Sequence, residues 1–400
     1  GVQIESEGKP PGTGRVLTAR YESPYLEHAP MEPLSCSARV TADRCDVWVG
    51  TQAQATTRTE AAKVSGVPKD QCFVHTTFLG GGFGRRGEQD FVRPAVAAAR
   101  DLGRPVKLIW TREASMARGT HRPATMVDLE AELTDAGIAA WSARIAGQNI
   151  LERFVPGFLA NSAFGTLPLH EGLSESPYHF PAMRIEAVPV DLPVTVGWWR
   201  SVHGSHNAFY RECFLDECAA ALRKDPVTLR RELLARSPRH RAVLDAAVEL
   251  AGAERPGLSR GVALFESFGS ICAQVVDLTV DDGDVHVRHV YSAIDCGRVV
   301  HPDTVRAQVM GGAAMGISMT LYEGLSLRDG RVQQSNFHDY RVLRMDRAPN
   351  FETVIVASTE DPGGVGEPGL PPVTGAIVNA IFAATGKRLR RLPVGDQLKA

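Results

Sequence analysis

At 400 residues and 43.2 kDa the chain has room for two or three compact units, and with 44% apolar and 22% charged residues it is not a disordered polymer. Forty-four Lys and Arg against 46 Asp and Glu leave a formal charge of −2, which gives no electrostatic reason for nucleic acid or an anionic membrane as partner. The longest apolar runs, such as Ala376 to Ala384, fall well short of the roughly twenty residues that span a bilayer. Seven scattered cysteines without a C-x-x-C pair argue against a zinc ribbon, an iron–sulfur cluster and a dense disulfide framework. The chain begins at Gly1 without an initiator Met, as a processed or separately made piece would.

In chain order, the first twenty residues are polar, rich in Gly and Pro, and read as a loop or arm. Cys45 to Thr51 alternates as a strand does, and a short helix is predicted from Ala53 to Ser65. Cys72 to Leu79 predicts a strand that runs into Gly80-Gly-Gly-Phe-Gly-Arg-Arg-Gly87. Phe91, Val92, Ala95, Val96 and Ala99 then recur at helical spacing, so Glu88 to Arg100 is a predicted amphipathic helix. Pro105 to Thr111 predicts a strand, and Met126 to Ala146 a hairpin turning at Asp135-Ala-Gly137. Asn149 to Pro181 has no clean period and reads as loop with short helix, followed by a strand at Arg184 to Asp191.

After Gly197-Trp-Trp-Arg-Ser-Val-His-Gly204 come three predicted helices: Asn207 to Arg223, one opened by Asp225-Pro226, and His240 to Gly252. Pro256-Gly257 is the linker candidate, dividing the chain into 1–255 and 256–400. Three strands (Gly261 to Phe268, Ala273 to Val280, Val285 to Ala293), a Gly-rich helix (Asp303 to Tyr322), a Gly/Pro tract (Asp361 to Pro372) and a last helix (Val373 to Thr385) follow. Helix and strand alternate without a fixed period, which gives an α+β or mixed α/β class.

Gly82-Phe-Gly84-Arg-Arg-Gly87 satisfies G-x-G-x-x-G between a strand and a helix, with Glu113 near where a ribose-binding acid is sought. Such a loop lets backbone amides approach a phosphate, and a tight structural turn uses the same residues. Arg85 and Arg86 favour an anion. In Asp361-Pro-Gly-Gly-Val-Gly-Glu-Pro-Gly369, Gly and Pro fix the path around one carboxylate, Glu367. Aimed into an apolar cavity it would be a general base with a raised pKa; otherwise it is a solvated loop residue. Arg200, after two tryptophans, either reaches an anion or is a surface charge. Gln52, after a strand, has an amide able to donate to an oxo group. Gln308, Gly311, Gly312 and Gly316 fit close approach of a ligand or of another helix. The His203/His206 pair reads as structural and Lys387 to Arg391 as a solvated helix end; no metal-ligating set is found.

In order, T-Q, G-G-G-F-G-R-R, G-W-W-R-S-V-x-G-S-H-N-A-F and G-V-G-E-P-G-L-P-P resemble the molybdenum-binding large subunit of the xanthine oxidase family, in its isoquinoline 1-oxidoreductase beta-subunit branch. His28-Ala-Pro-Met-Glu-Pro33 with Cys36 fits the same branch, and the resemblance runs from about Tyr21 to Pro393. It implies the molybdenum cofactor-binding domains of that family, with molybdopterin cytosine dinucleotide whose metal is held by the pterin dithiolene and by no side chain. Gln52 would then bond the apical oxo ligand. Gly81, Gly82, Phe83, Gly84 and Arg85 would present backbone amides, with Phe83 beside the metal, and Arg200, Gln308 and Gly366 would join the cofactor set. Glu367 would be the base for inserting water-derived oxygen at an electron-poor carbon of an N-heterocycle or aldehyde.

Three features depart from the family. The E-M-G-Q-G stretch is not in these residues, which implies a truncated piece or a partner chain that carries it. Arg85-Arg86-Gly87 stands where xanthine and aldehyde oxidases have Gly-Lys-Glu, so their substrate-binding acid has no counterpart there. Iron–sulfur motifs are lacking, which implies a small [2Fe-2S] partner subunit. Two other readings stay open: an NAD(P)-dependent dehydrogenase using Gly82 to Gly87, and a catalytically inert assembly fragment.

Overall fold

In the computed structural model, which describes residues 1–160 and 162–399, two enclosed helices run through the largest core. Residue 161, inside the stretch read as loop with short helix, lies outside the described residues. The helix Pro371–Thr385 is apolar on every side and is stable only when surrounded; Pro371 to Ile381 are all buried. It lies along the helix Gly204–Leu222, buried from Gly204 to Ala219. The second helix packs on a five-stranded sheet ordered Val2–Glu7, Met183–Pro189, Gly137–Gly147, Thr125–Thr134, Arg15–Ser23. The first covers a four-stranded sheet ordered Ser259–Ser267, Ser270–Asp281, Asp284–Asp295, Asn350–Ile355. The mixed α/β class is therefore observed, and one hydrophobic core holds residues from both sides of Pro256-Gly257.

A smaller unit has its own core. Its sheet is ordered Cys72–Thr76, Cys45–Val49, Ser35–Val40, Val106–Ile109, with the helices Gln54–Ser65 and Val92–Leu102 packed on it through Ala61, Val92, Ala95 and Val96. The strands before and after the glycine turn run the same way but sit at opposite edges of this sheet, with Cys45–Val49 and Ser35–Val40 between them. A dinucleotide fold needs them side by side, and the following helix starts only at Val92. Glu113 lies in a helix, Arg112–Arg118, where Asn336 Nδ2 donates to it at 2.7 Å. The nicotinamide reading is overturned by this topology.

Other expectations also change. The N-terminal arm is two strands, Val2–Glu7 and Arg15–Ser23, at opposite edges of the five-stranded sheet. Lys387 to Arg391 is not a solvated helix end: Arg388 pairs with Asp216 at 2.6 Å and Arg390 with Glu217 at 2.5 Å, while Leu389 is buried. All seven cysteines are free and buried. Among the described residues no helix is long and apolar enough to cross a membrane.

Candidate active site

The glycine turn is built around positive φ angles: Gly81 at +96°, Phe83 at +55° and Gly84 at +101°. At Gly84 a Cβ would lie 2.1 Å from the Trp198 carbonyl oxygen, so the turn and the double-Trp segment touch backbone to backbone. Gln52 Oε1 accepts from the amides of Gly84 (3.2 Å) and Arg86 (3.3 Å). With its carbonyl end so engaged, the exposed Gln52 has an NH2 end with no protein partner among the described residues. Arg85 and Arg86 turn inward instead of toward an anion. Both are fully buried, Arg85 in a two-bond pair with Asp90 (2.8 and 2.7 Å) and Arg86 with Glu32 (2.9 Å). The Arg85 amide donates to the Gly82 carbonyl at 2.9 Å. Gly84→Ala is expected to lower stability by about 2 kcal/mol or more, read by denaturant unfolding, because clash and left-handed backbone coincide.

The second element is the turn before the helix Gly204–Leu222. Trp199 is 1% exposed and donates from Nε1 to the Glu27 carbonyl at 3.3 Å, whereas Trp198 is half-buried and stacks on Phe154 at 6.0 Å. The Trp198 carbonyl also accepts from His28 Nε2, and burial pushes the His28 pKa down to about 4, so the ring is a neutral donor. Ser201 (φ +69°) and Val202 (φ +48°) are held in the left-handed region, which for a β-branched residue is strained by about 1–3 kcal/mol. The Val202 amide closes that turn on the Trp199 carbonyl at 2.6 Å.

Arg200 is no surface charge. It is 8% exposed and donates to the Gly366 carbonyl (Nε 2.8 Å, Nη2 2.6 Å) and to the Gln308 carbonyl (3.2 Å) and Oε1 (3.1 Å). Beyond Gly366, Glu367 Oε1 accepts from the Ser201 amide at 2.9 Å, and Ser201 Oγ donates to the Glu367 carbonyl at 2.9 Å. Glu367 is thus half-buried rather than solvated. Burial pushes its carboxyl above the ordinary range, against the downward pull of the Ser201 amide and of Arg200. The Arg200 guanidinium stands 5.9 Å from the Phe83 ring centroid.

Gln52, Gly81, Gly82, Phe83, Gly84, Arg200, Gln308, Gly366 and Glu367 therefore belong to one contiguous set, and Arg85 alone has its side chain turned away. Gly312 and Gly316 serve helix packing, since a Cβ at Gly316 would lie 2.3 Å from Val373. Gly311 and Gly366 face open space: around Gly366 nothing lies within 4 Å of a Cβ position, and around Gly311 only Arg200 Nη1 does, at 3.9 Å. A bulky anionic cofactor fits such a cradle, with a guanidinium at its floor and free amide NH2 groups on Gln52 and Gln308 at its sides. Among the described residues no three His, Cys, Asp or Glu side chains converge as metal ligands, so a metal there needs ligands from a bound group. Sequence reasoning missed Ser201, which orients Glu367, and Glu88, whose pair with Arg153 (2.8 Å) ties the 150–153 segment to this turn. A concavity of about 640 Å³ on the five-stranded sheet is lined by charges paired with one another, Arg20 with Asp128 and Arg144 with Glu186.

A family model described as molybdopterin cofactor-binding domain matches residues 13–234, and a second of the same description matches 252–349. Isoquinoline 1-oxidoreductase subunit beta of Brevundimonas diminuta is 33% identical over 395 residues, 96% of this chain and 50% of that protein. A membrane-bound aldehyde dehydrogenase [pyrroloquinoline-quinone] of Gluconacetobacter polyoxogenes is 30% identical over 420 residues, 95% and 53% of the two chains. The chain spans about half the length of these curated relatives. Quinoline 2-oxidoreductase from Pseudomonas putida 86 shares the fold with a TM-score of 0.81 at 15% identity, over 99% of this chain and 78% of that one.

Proposed function

From the premise that the chain belongs to the xanthine oxidase family of molybdopterin cofactor-binding subunits, we propose that it forms the catalytic half-site of a molybdenum hydroxylase acting on an N-heterocycle or an aldehyde. The cofactor in this reading is molybdopterin cytosine dinucleotide, and bound in the cradle it supplies the two-electron redox chemistry of a water-derived hydroxylation. Gln52 and Gln308 donate to it from their free amide NH2 groups, Gly81 to Gly84 present backbone to it, and Arg200 fixes Gly366 at its edge. Residues 1–255 bring the glycine turn and Arg200, and 256–400 bring Gln308 and Glu367. A partner carrying the E-M-G-Q-G region and a small [2Fe-2S] subunit complete the assembly.

The observation that carries the proposal is the state of Glu367: one carboxylate oxygen tied to the Ser201 amide, the other left for a proton, in a site that excludes enough water to raise its pKa. Oε2 takes the proton of the attacking water-derived group, and Oε1 keeps the carboxyl aimed. Protonated Glu367 cannot accept a proton, so kcat/KM is lost as pH falls through its pKa and regained as pH rises. The acid limb is expected clearly above the ordinary glutamate value of about 4.3. A pH–rate profile checks this, and a limb at that ordinary value contradicts a desolvated base.

A further inference from the structure

The role of Glu367 leaves a second carboxylate unexplained. Glu171 directly follows the short helix Leu167–His170. Its carbonyl and that of Leu169 accept from Asn207 Nδ2 at 3.0 and 3.1 Å, which fixes the backbone against the helix Gly204–Leu222. Gly172 follows at φ +72°, where a Cβ would lie 2.2 Å from the Phe265 ring. A Cβ at Gly204 would lie 2.9 Å from the same ring and 3.9 Å from Glu171 Cδ. The Glu171 carboxyl therefore lies against the first residue of that helix. Three residues earlier in the same turn, the Ser201 amide holds Glu367. Two acidic side chains from separate parts of the chain converge on one short turn, close enough to feel each other's charge.

We propose that Glu171 is the substrate-orienting acid of the Glu367 site, its carboxyl hydrogen-bonding the acceptor atom of the substrate, a ring nitrogen or an aldehyde oxygen. The inference rests on the reading of Glu367 given above and deepens it.

The surroundings separate the two acids. Burial first, then the negative charges of Glu175 and Glu367, push the Glu171 carboxyl up to about 7, whereas Glu367 has Arg200 and the Ser201 amide to favour its ionised form. The other charged and titratable groups packed nearby are engaged elsewhere: Arg211 with the Gly172 and Leu264 carbonyls, Glu212 with Arg211 and Arg230, and His170 with Ser174. Below about 7 the Glu171 carboxyl thus keeps its proton. A buried neutral donor also discriminates, since a substrate carrying CH in place of the acceptor leaves it unpaired.

The test compares isoquinoline with naphthalene, the same shape without the ring nitrogen, by equilibrium dialysis against dithionite-reduced holoenzyme, in which bound heterocycle is not oxidised. Affinities are read about 1.5 pH units below and above 7. The wild type is expected to prefer isoquinoline about tenfold or more below, and to lose the preference above, where Glu171 is ionised. Glu171→Gln, whose amide still donates, keeps the preference at both pH values; Glu171→Ala loses it at both, with naphthalene binding unchanged. A wild-type preference persisting in Glu171→Ala overturns the inference, and so does an equal weakening of both probes, which marks a packing role. Turnover of Glu367→Gln tells the two failures apart. If Glu171→Ala keeps the preference while Glu367→Gln is inactive, only the Glu171 inference has failed; an active Glu367→Gln removes the reading on which it rests.

Discussion

Glu367→Gln is expected to lower kcat/KM by about 10²- to 10⁴-fold, the usual contribution of a positioned base, while leaving molybdenum content per chain unchanged. The substitution is close to isosteric. The amide carbonyl of Gln can accept from the Ser201 amide as Oε1 does now, and the Ser201 Oγ bond to the residue 367 carbonyl is untouched. What disappears is the basic oxygen. The acid limb of the pH profile disappears with it, because no group at that position titrates. Metal analysis of the purified variant beside its kinetics separates a lost base from a lost cofactor. Near-normal turnover would take the proton from some other group and leave Glu367 as a loop residue.

The second large effect is expected at Arg200. Arg200→Ala should reduce cofactor occupancy at least about tenfold, and it should destabilise the cofactor-free protein by about 1.5–3 kcal/mol, the value of hydrogen bonds made by a charged group. The reason is placement. The guanidinium comes from the strained turn of the first half and makes all four of its bonds to residues 308 and 366 of the second. Without it the Gly366 carbonyl and Gln308 lose their shared donor, and the loop that aims Glu367 is left to the Ser201 contacts with the double-Trp turn. Arg200→Lys should not rescue occupancy, since an ammonium cannot reproduce the planar fork. Molybdenum and nucleotide per chain, with thermal unfolding of the cofactor-free form, are the measurements. Full cofactor retention in Arg200→Ala would mean that the guanidinium only braces the loop.

How much of this was legible in the sequence depended on the range of the interactions. The strand Cys45–Val49 and the helix Pro371–Thr385 follow from local periodicity and apolarity, because each buries its own pattern. Val2–Glu7 and Arg15–Ser23 did not look like strands because they are half-exposed edges, whose partners, Met183–Pro189 and Thr125–Thr134, lie more than a hundred residues away. Asn350–Ile355 was missed for the same reason: pairing with a distant strand supplies what its own side chains do not.

The site divides in the same way. Motif order brought Gln52, Phe83, Arg200, Gln308 and Glu367 into one list, and their contacts place them together. Motif reading failed where a charge finds its partner across the fold. Arg86 looked like an anion binder until Glu32 took it, and Arg390 looked solvated until Glu217 did. Glu171 gave no signal at all, because its neighbours Gly204 and Phe265 come from other segments and its own stretch has no period.

The expected place of the cofactor is the open cradle bounded by Gln52, Phe83, Arg200 and Glu367. Anomalous diffraction at the molybdenum edge, from crystals of the holoenzyme assembled with its partner chains, tests it most directly. The expected map has one strong peak per copy of this chain, inside that cradle and facing the Glu367 carboxyl. A fully loaded enzyme whose peak lies elsewhere, or on the far side of the glycine turn from Glu367, would contradict it.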